Sequence, residues 1–278
     1  MLSVFIVSSA IAVLFLLSTS ELSAAFRTAG PAGGAHRRLT LIRAAEPAEL
    51  TASDEVSFTV RATELDRSLG LTDHEKNVVN VHRLCSPAVA YVTSIAASES
   101  TNERRGKTGL PRGRSLGSGS GFVVDSAGYL VTNYHVVQRA YELNEFVSKT
   151  RERLFANTTF GESLLGRMSS GQVYVRFGSD GASARYLSCD IVDVVKELDL
   201  AVLKIIDTPE SPLKALSFGS SSALLVGQTT VASGNPFGLD KTLTSGIVSA
   251  LGRSVTGVAG NEIKNCIQTD TAINPGNR

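Results

Sequence analysis

Two side chains in this sequence are of the right type, and in the right local setting, to act as a general base and the carboxylate that orients it. His135 closes the string GSGSGFVVDSAGYLVTNYHVV, which runs glycines, a strand, the tight turn Asp125-Ser126-Ala127-Gly128, a second strand, and then the histidine at that strand's end. Such a hairpin delivers an imidazole to a barrel rim from a rigid base, as a general base requires. Downstream, ELDLAVLKI puts Asp199 at the entrance to an apolar strand. A carboxylate there can stay partly buried, accept the Nδ1 proton of a histidine and fix its tautomer. Taken singly, each residue has a plainer reading: His135 as a structural histidine between strand and loop, Asp199 as a turn residue. The three cysteines, Cys85, Cys189 and Cys266, are odd in number, far apart and without zinc-site spacing. They read as small buried hydrophobes rather than nucleophiles or a disulfide framework, and no cofactor or metal is expected.

The elements that must position His135 and Asp199 are legible from periodicity. Thr72 followed by Glu75 has capping-box spacing, and Val78, Val81 and Leu84 recur at helical intervals until Pro87, which predicts one short helix. Beyond it, six short β-branched and aromatic runs alternate with turn residues: Ala88 to Ile95, Gly121 to Val124, Tyr129 to Asn133, Val173 to Phe177, Leu187 to Val195 and Ala201 to Ile206. That spacing predicts a small closed barrel. A second series follows at Thr229 to Ser233, Leu243 to Leu251 and Ile263 to Thr269, too few strands to close a second barrel. Ala97 to Leu116 is polar and rich in Gly and Arg and reads as a loop, and Gln138 to Gly171 as an insertion with a helix-compatible stretch from Tyr141 to Phe155.

The 27 basic and 26 acidic side chains nearly cancel, which gives no electrostatic reason to expect nucleic acid or an anionic membrane as partner. The first 71 residues read as address rather than fold. The uncharged start, with its apolar core from Val4 to Leu17, suits a signal peptide over 1–25, with Ser23 and Ala25 before the junction and Phe26 after it. Arg27, Arg37, Arg38 and Arg43, in a stretch free of Asp and Glu, make 26–45 resemble a transit peptide, and 46–71 reads as a linker. The order resembles the two-part plastid leaders of algae whose plastids lie inside an extra membrane; secretion with a basic propeptide is the alternative. The mature protein is expected to have no membrane span.

Four ordered blocks, GSGSGFVVDSAGYLVTNYHVV, LDLAVLKI, LLVGQTTVASGNPFGLDKTLTSGIVSALGR and IQTDTAINPGN, resemble those of HtrA/Deg serine proteases, and the wordings GSGSGF, TNYHV and NPFGLD resemble the plastid Deg branch. The resemblance covers Thr72 to Asn277. It implies an all-β, trypsin-like double β-barrel over 72–278, with the first barrel complete, the second truncated and a short helix in front. It further implies His135 as general base, Asp199 as its orienting acid and Gly276 as an oxyanion-hole donor. It implies an endopeptidase that cleaves unfolded or damaged proteins without ATP, assembles as a trimer and often carries PDZ modules, none of which lies in this sequence. One position departs from the pattern: the family continues Asn-Pro-Gly-Asn with Ser-Gly-Gly, whereas Asn277 is followed here by Arg278. A guanidinium stays protonated and offers no lone pair, so Arg278 cannot replace the serine. The chain is accordingly expected to be an inactive form, either an interrupted product read into an unspliced intron or a pseudoprotease that binds unfolded chains or homologues.

Overall fold

The computed structural model describes residues 4–6, 70–97, 110, 112–154, 169–178, 185–235, 242–256, 260 and 262–273. Helix α1, Asp73–Cys85, starts where the capping box requires: the Thr72 hydroxyl accepts the Glu75 N–H at 3.3 Å, and the Glu75 carboxylate accepts the Thr72 N–H at 2.7 Å. Its inner stripe, Val78, Val81 and Cys85, packs on the seam between two β units. A 3-10 turn, Ser86–Ala88, with Pro87 near its start, then feeds the chain into the first of these.

That unit is a closed, wholly antiparallel barrel. Its strands are β2 (Val89–Ala97), β3 (Arg114–Asp125), β4 (Tyr129–Asn133), β5 (Ser170–Phe177), β6 (Leu187–Val195) and β7 (Leu200–Ile205), in the order β2-β3-β4-β7-β6-β5. Closure leaves no strand edge to protect, and residues alternating along each strand fill the interior: Ala90 and Val92, Val123, Leu130, Val173 and Val175, Ala201 and Leu203. The β3–β4 hairpin turns where the sequence reading placed it. The Asp125 carboxylate accepts the Ala127 N–H at 2.7 Å, and Gly128 takes the positive φ of 97° that a side chain would resist.

The second unit is an open sheet, with β8 (Thr229–Gly234), β9 (Thr242–Thr256) and β10 (Glu262–Thr269) antiparallel in sequence order and a short strand β1 (Val4–Ile6) parallel on the far side of β8. A small core of Leu224, Ala232, Val248 and Ile267 lies on one face of it. The two units meet through Val89, Phe122, Val131, Val195 and Leu200 of the barrel against Val231 of β8, with Phe122 and Phe218 edge to face at 6.2 Å.

Three expectations change. His135 lies not at a strand's end but in the first turn of helix α2, Tyr134–Leu154, which begins seven residues before the stretch that read as helix. Strand β3 starts at Arg114, inside the segment read as loop. Its Ser and Gly residues carry no apolar alternation, yet they pair along β2 from Arg114 opposite Ala96 to Phe122 opposite Val89. Strand β9 runs on past Leu251 to Thr256 because β10 pairs with the extension. The cysteines are free thiols: Cys189 and Cys266 are buried, Cys85 partly so, and burial pushes the Cys85 thiol up to about 11. Apart from 4–6, the segments read as leader and linker lie outside the described residues up to 69. Among the described residues no helix is long and apolar enough to cross a membrane.

Candidate active site

Strand β4 ends at Asn133, and the chain passes without a loop into α2, so His135 is carried on the N-terminal turn of a helix rooted in the barrel wall. The first N–H groups of a helix have no partner within it. Asp199 supplies those partners: its backbone carbonyl accepts the Tyr134 N–H at 2.9 Å, and its carboxylate Oδ1 accepts the His135 N–H at 2.8 Å. The second oxygen, Oδ2, lies 2.7 Å from His135 Nδ1. One buried carboxylate, 2% exposed, thus satisfies the helix start and aligns the imidazole on the same helix. Its charge also sits at the positive end of the α2 dipole. The imidazole is more open, 37% exposed, which leaves its outer edge accessible.

Asp199 adopts an unusual backbone to do this. It follows a 3-10 turn, Lys196–Leu198, in the left-handed region at φ 54°, ψ 44°, and its N–H donates to the Lys196 carbonyl at 3.2 Å. Aspartate tolerates this region better than other non-glycine residues do. The turn aims the carboxylate at α2 before β7 begins at Leu200.

Two contributors escaped the sequence reading. Asn133, almost completely buried, donates its side-chain amide to both the Asp199 carbonyl and Oδ2 at 3.2 Å, so the carboxylate receives a third donor. Its place between the strand and the histidine in TNYHV was the available signal. The other is Gly117. A Cβ on it would stand 2.5 Å from the Val136 carbonyl, so only glycine lets β3 approach the residue beside His135 this closely. Ser94 holds the same carbonyl by a hydroxyl bond of 3.0 Å.

On the second unit, the chain after β10 is anchored as far as Ala272. The Asp270 carboxylate accepts the Ile247 N–H at 2.7 Å, Thr244 donates to the Ala272 carbonyl at 2.8 Å, and Thr230 bonds the Thr269 and Thr271 hydroxyls. Gly276 and Arg278 lie beyond this anchor, outside the described residues. The structure therefore brings His135 and Asp199 together and describes neither of the other two sequence-derived positions.

The family model of the trypsin-like peptidase domain matches residues 119–278. Among curated proteins, the chain is 36% identical over 235 residues to Protease Do-like 1, chloroplastic, of Arabidopsis thaliana, a match over 84% of this chain and 43% of that protein. It is 36% identical over 203 residues to Protease Do-like 5, chloroplastic, of the same plant, covering 73% and 55%. The chain thus spans about half the length of these curated relatives. Among solved structures, a crystal structure of Deg5 matches at 32% identity and a TM-score of 0.49, covering 74% of this chain and 78% of that one. With the family model matching more than half its length and Do-like proteases among its relatives, the chain belongs to the HtrA/Deg family of trypsin-like serine peptidases.

Proposed function

We propose that the His135–Asp199 pair is the base and orienting acid of peptide-bond hydrolysis by acyl transfer, acting on unfolded or damaged proteins without ATP. The observation that carries this reading is the 2.7 Å contact between Asp199 Oδ2 and His135 Nδ1. With Nδ1–H donated to the carboxylate, Nε2 is left unprotonated and free to take a proton from a nucleophile; Asp199 then stabilises the imidazolium. The backbone N–H of Gly276 is the proposed oxyanion donor, launched from the segment that Asp270 and Thr244 hold. The family serine would occupy the position of Arg278, and loss of that nucleophile costs about a million-fold in turnover.

Arg278 favours a second reading for this polypeptide, binding of unfolded chains or of homologues without cleavage. The two are separated on casein: the chain as it stands is compared with a version in which Arg278 becomes serine, followed by the Gly-Gly and remaining strands of a Do-like relative. Cleavage by the second alone, abolished by His135→Ala, supports the protease reading. Absence of cleavage by both, with suppression of citrate synthase aggregation by the first, supports the binding reading.

Plastid targeting is part of the proposal, supported by the basic, acid-free stretch after Phe26 and by the chloroplastic Do-like relatives. A fluorescent fusion of residues 1–70 is expected to mark the plastid, and uniform secretion would overturn it. A trimer, the usual family assembly, is tested by sedimentation of the extended version.

A further inference from the structure

We infer that Lys196, through a cage formed by Tyr134 and Tyr141, is a positioning residue for the Asp199–His135 pair. The inference rests on the proposed base and acid roles of those two residues. Its starting point is the backbone of Asp199, which lacks glycine's freedom yet sits at φ 54°. A residue in that region persists only where its surroundings over-determine it. Asp199 is bonded to α2 directly, but the turn Lys196–Leu198 that presents it is exposed at its start, where a further contact with α2 would hold it.

The Lys196 side chain provides that hold. Its Nζ lies 5.7 Å from the ring centroid of Tyr134 and 5.1 Å from that of Tyr141, both within cation–π range. Seven residues apart on α2, the two tyrosines share one face of the helix and meet edge to face at 6.1 Å. Tyr134 is buried and immediately precedes His135; its hydroxyl is pushed up to about 12, chiefly by burial, and so remains a neutral ring. The Lys196 carbonyl meanwhile accepts the Asp199 N–H. One residue therefore grips the histidine-bearing helix with its side chain and closes the aspartate-bearing turn with its backbone. When the ammonium leaves the rings, the turn loses its outer tether, and the carboxylate's alignment with the imidazole loosens.

The His135 Nδ1–H proton in nuclear magnetic resonance of the full chain tests this without requiring a nucleophile. A proton donated to a buried carboxylate resonates far downfield and exchanges slowly, and it is assigned by its loss in His135→Gln. Lys196→Met, which keeps the length of the side chain and removes the charge, is expected to speed exchange of that proton about 10-fold, as two cation–π contacts imply. Tyr141→Leu is expected to act in the same direction, and Lys196→Arg, whose guanidinium also packs on aromatic faces, to stay within about 2-fold of the parent. An unchanged shift and exchange rate in Lys196→Met, whatever its melting temperature, would reduce the cage to a surface contact and overturn the inference. So would equal loss in Lys196→Arg. If Lys196→Met does not fold, Tyr141→Leu decides by the same criterion. Failure of the protease reading would appear separately, as absent casein cleavage with the proton's behaviour unaltered.

Discussion

Replacing Asp199 by asparagine isolates the charge from everything else the residue does. Asparagine has the same shape and accepts the left-handed backbone at φ 54°. Its orientation is forced: the His135 N–H can only donate, so the amide oxygen must face it, and the amide nitrogen must take the place of Oδ2 beside the imidazole. An amide N–H there requires an unprotonated Nδ1, which drives the ring proton to Nε2. The energetic cost follows from the bonds. The bond from the His135 N–H changes from charge-assisted to neutral, a loss of about 1 kcal/mol, and the ring bond is weakened by a similar amount. Asn133 keeps the Asp199 carbonyl as acceptor but meets an amide N–H in place of Oδ2, and losing that bond costs about 1 kcal/mol more. The sum, about 3 kcal/mol, lowers the melting temperature by about 6–12 °C for a domain of this size. Nitrogen-15 resonance of the ring is expected to show Nδ1 passing from protonated to bare. In the serine-bearing extended version, turnover is expected to fall by about four orders of magnitude, since the nitrogen that should take the proton already holds one. An unchanged tautomer in Asp199→Asn would refute the assignment of Oδ2 as the acceptor of the ring proton, and with it the proposed base.

Gly117→Ala places a methyl group 2.5 Å from the Val136 carbonyl, where both groups are backbone-anchored, and is expected to cost about 1–3 kcal/mol in urea denaturation while speeding exchange of the His135 ring proton. Asp193 has its carboxyl raised by burial, partly offset by the Val194 N–H bonded at 2.8 Å. In the window between its ordinary and its raised value, the unfolded chain is ionised while the folded chain keeps the proton, so stability falls as pH rises through that window. Asp193→Asn is therefore expected to stabilise the protein above the window and to change nothing below it, as measured by denaturation at two pH values. Thr72→Ala removes the cap of α1 and is expected to cost about 1 kcal/mol. The Glu75 carboxyl, lowered chiefly by the Thr72 hydroxyl, contributes stability present above the ordinary carboxylate range and lost as pH falls through its folded value; circular dichroism at acid pH should show a larger loss in the parent than in Thr72→Ala, which keeps the backbone N–H bond to Glu75.

The barrel was legible because its strands are short runs rich in β-branched and aromatic residues set between turn residues: Tyr129 to Asn133 and Leu187 to Val195 occupy the spans so assigned. The capping box and the hairpin turn were legible because their chemistry is local. What failed was decided by long-range contacts. The Gly and Ser residues of β3 have no pattern of their own and are strand only because β2 pairs with them from Arg114 onward. The start of α2 at Tyr134 is set by Asp199, which lies 64 residues beyond His135, so no window around the helix could reveal it. For the same reason His135 and Asp199 could be nominated separately, but the 2.7 Å that relates them could not be read from the sequence.

The helix start and the proposed active site are one construction. A carboxylate that only oriented an imidazole could sit on any nearby element, and a helix cap could be any short polar residue from the preceding loop. Here no loop precedes α2, because β4 runs directly into it, and the Tyr134 and His135 N–H groups find their acceptors on Asp199. Asp199 presents them from the turn before β7, and its two carboxylate oxygens both reach the first-turn histidine. The residue that accepts the first N–H groups of the helix is thus also the one that aligns its histidine, so folding the first barrel assembles the pair. It follows that the pair can form whether or not a nucleophile stands at position 278, and that the geometry of His135 and Asp199 reports on the barrel.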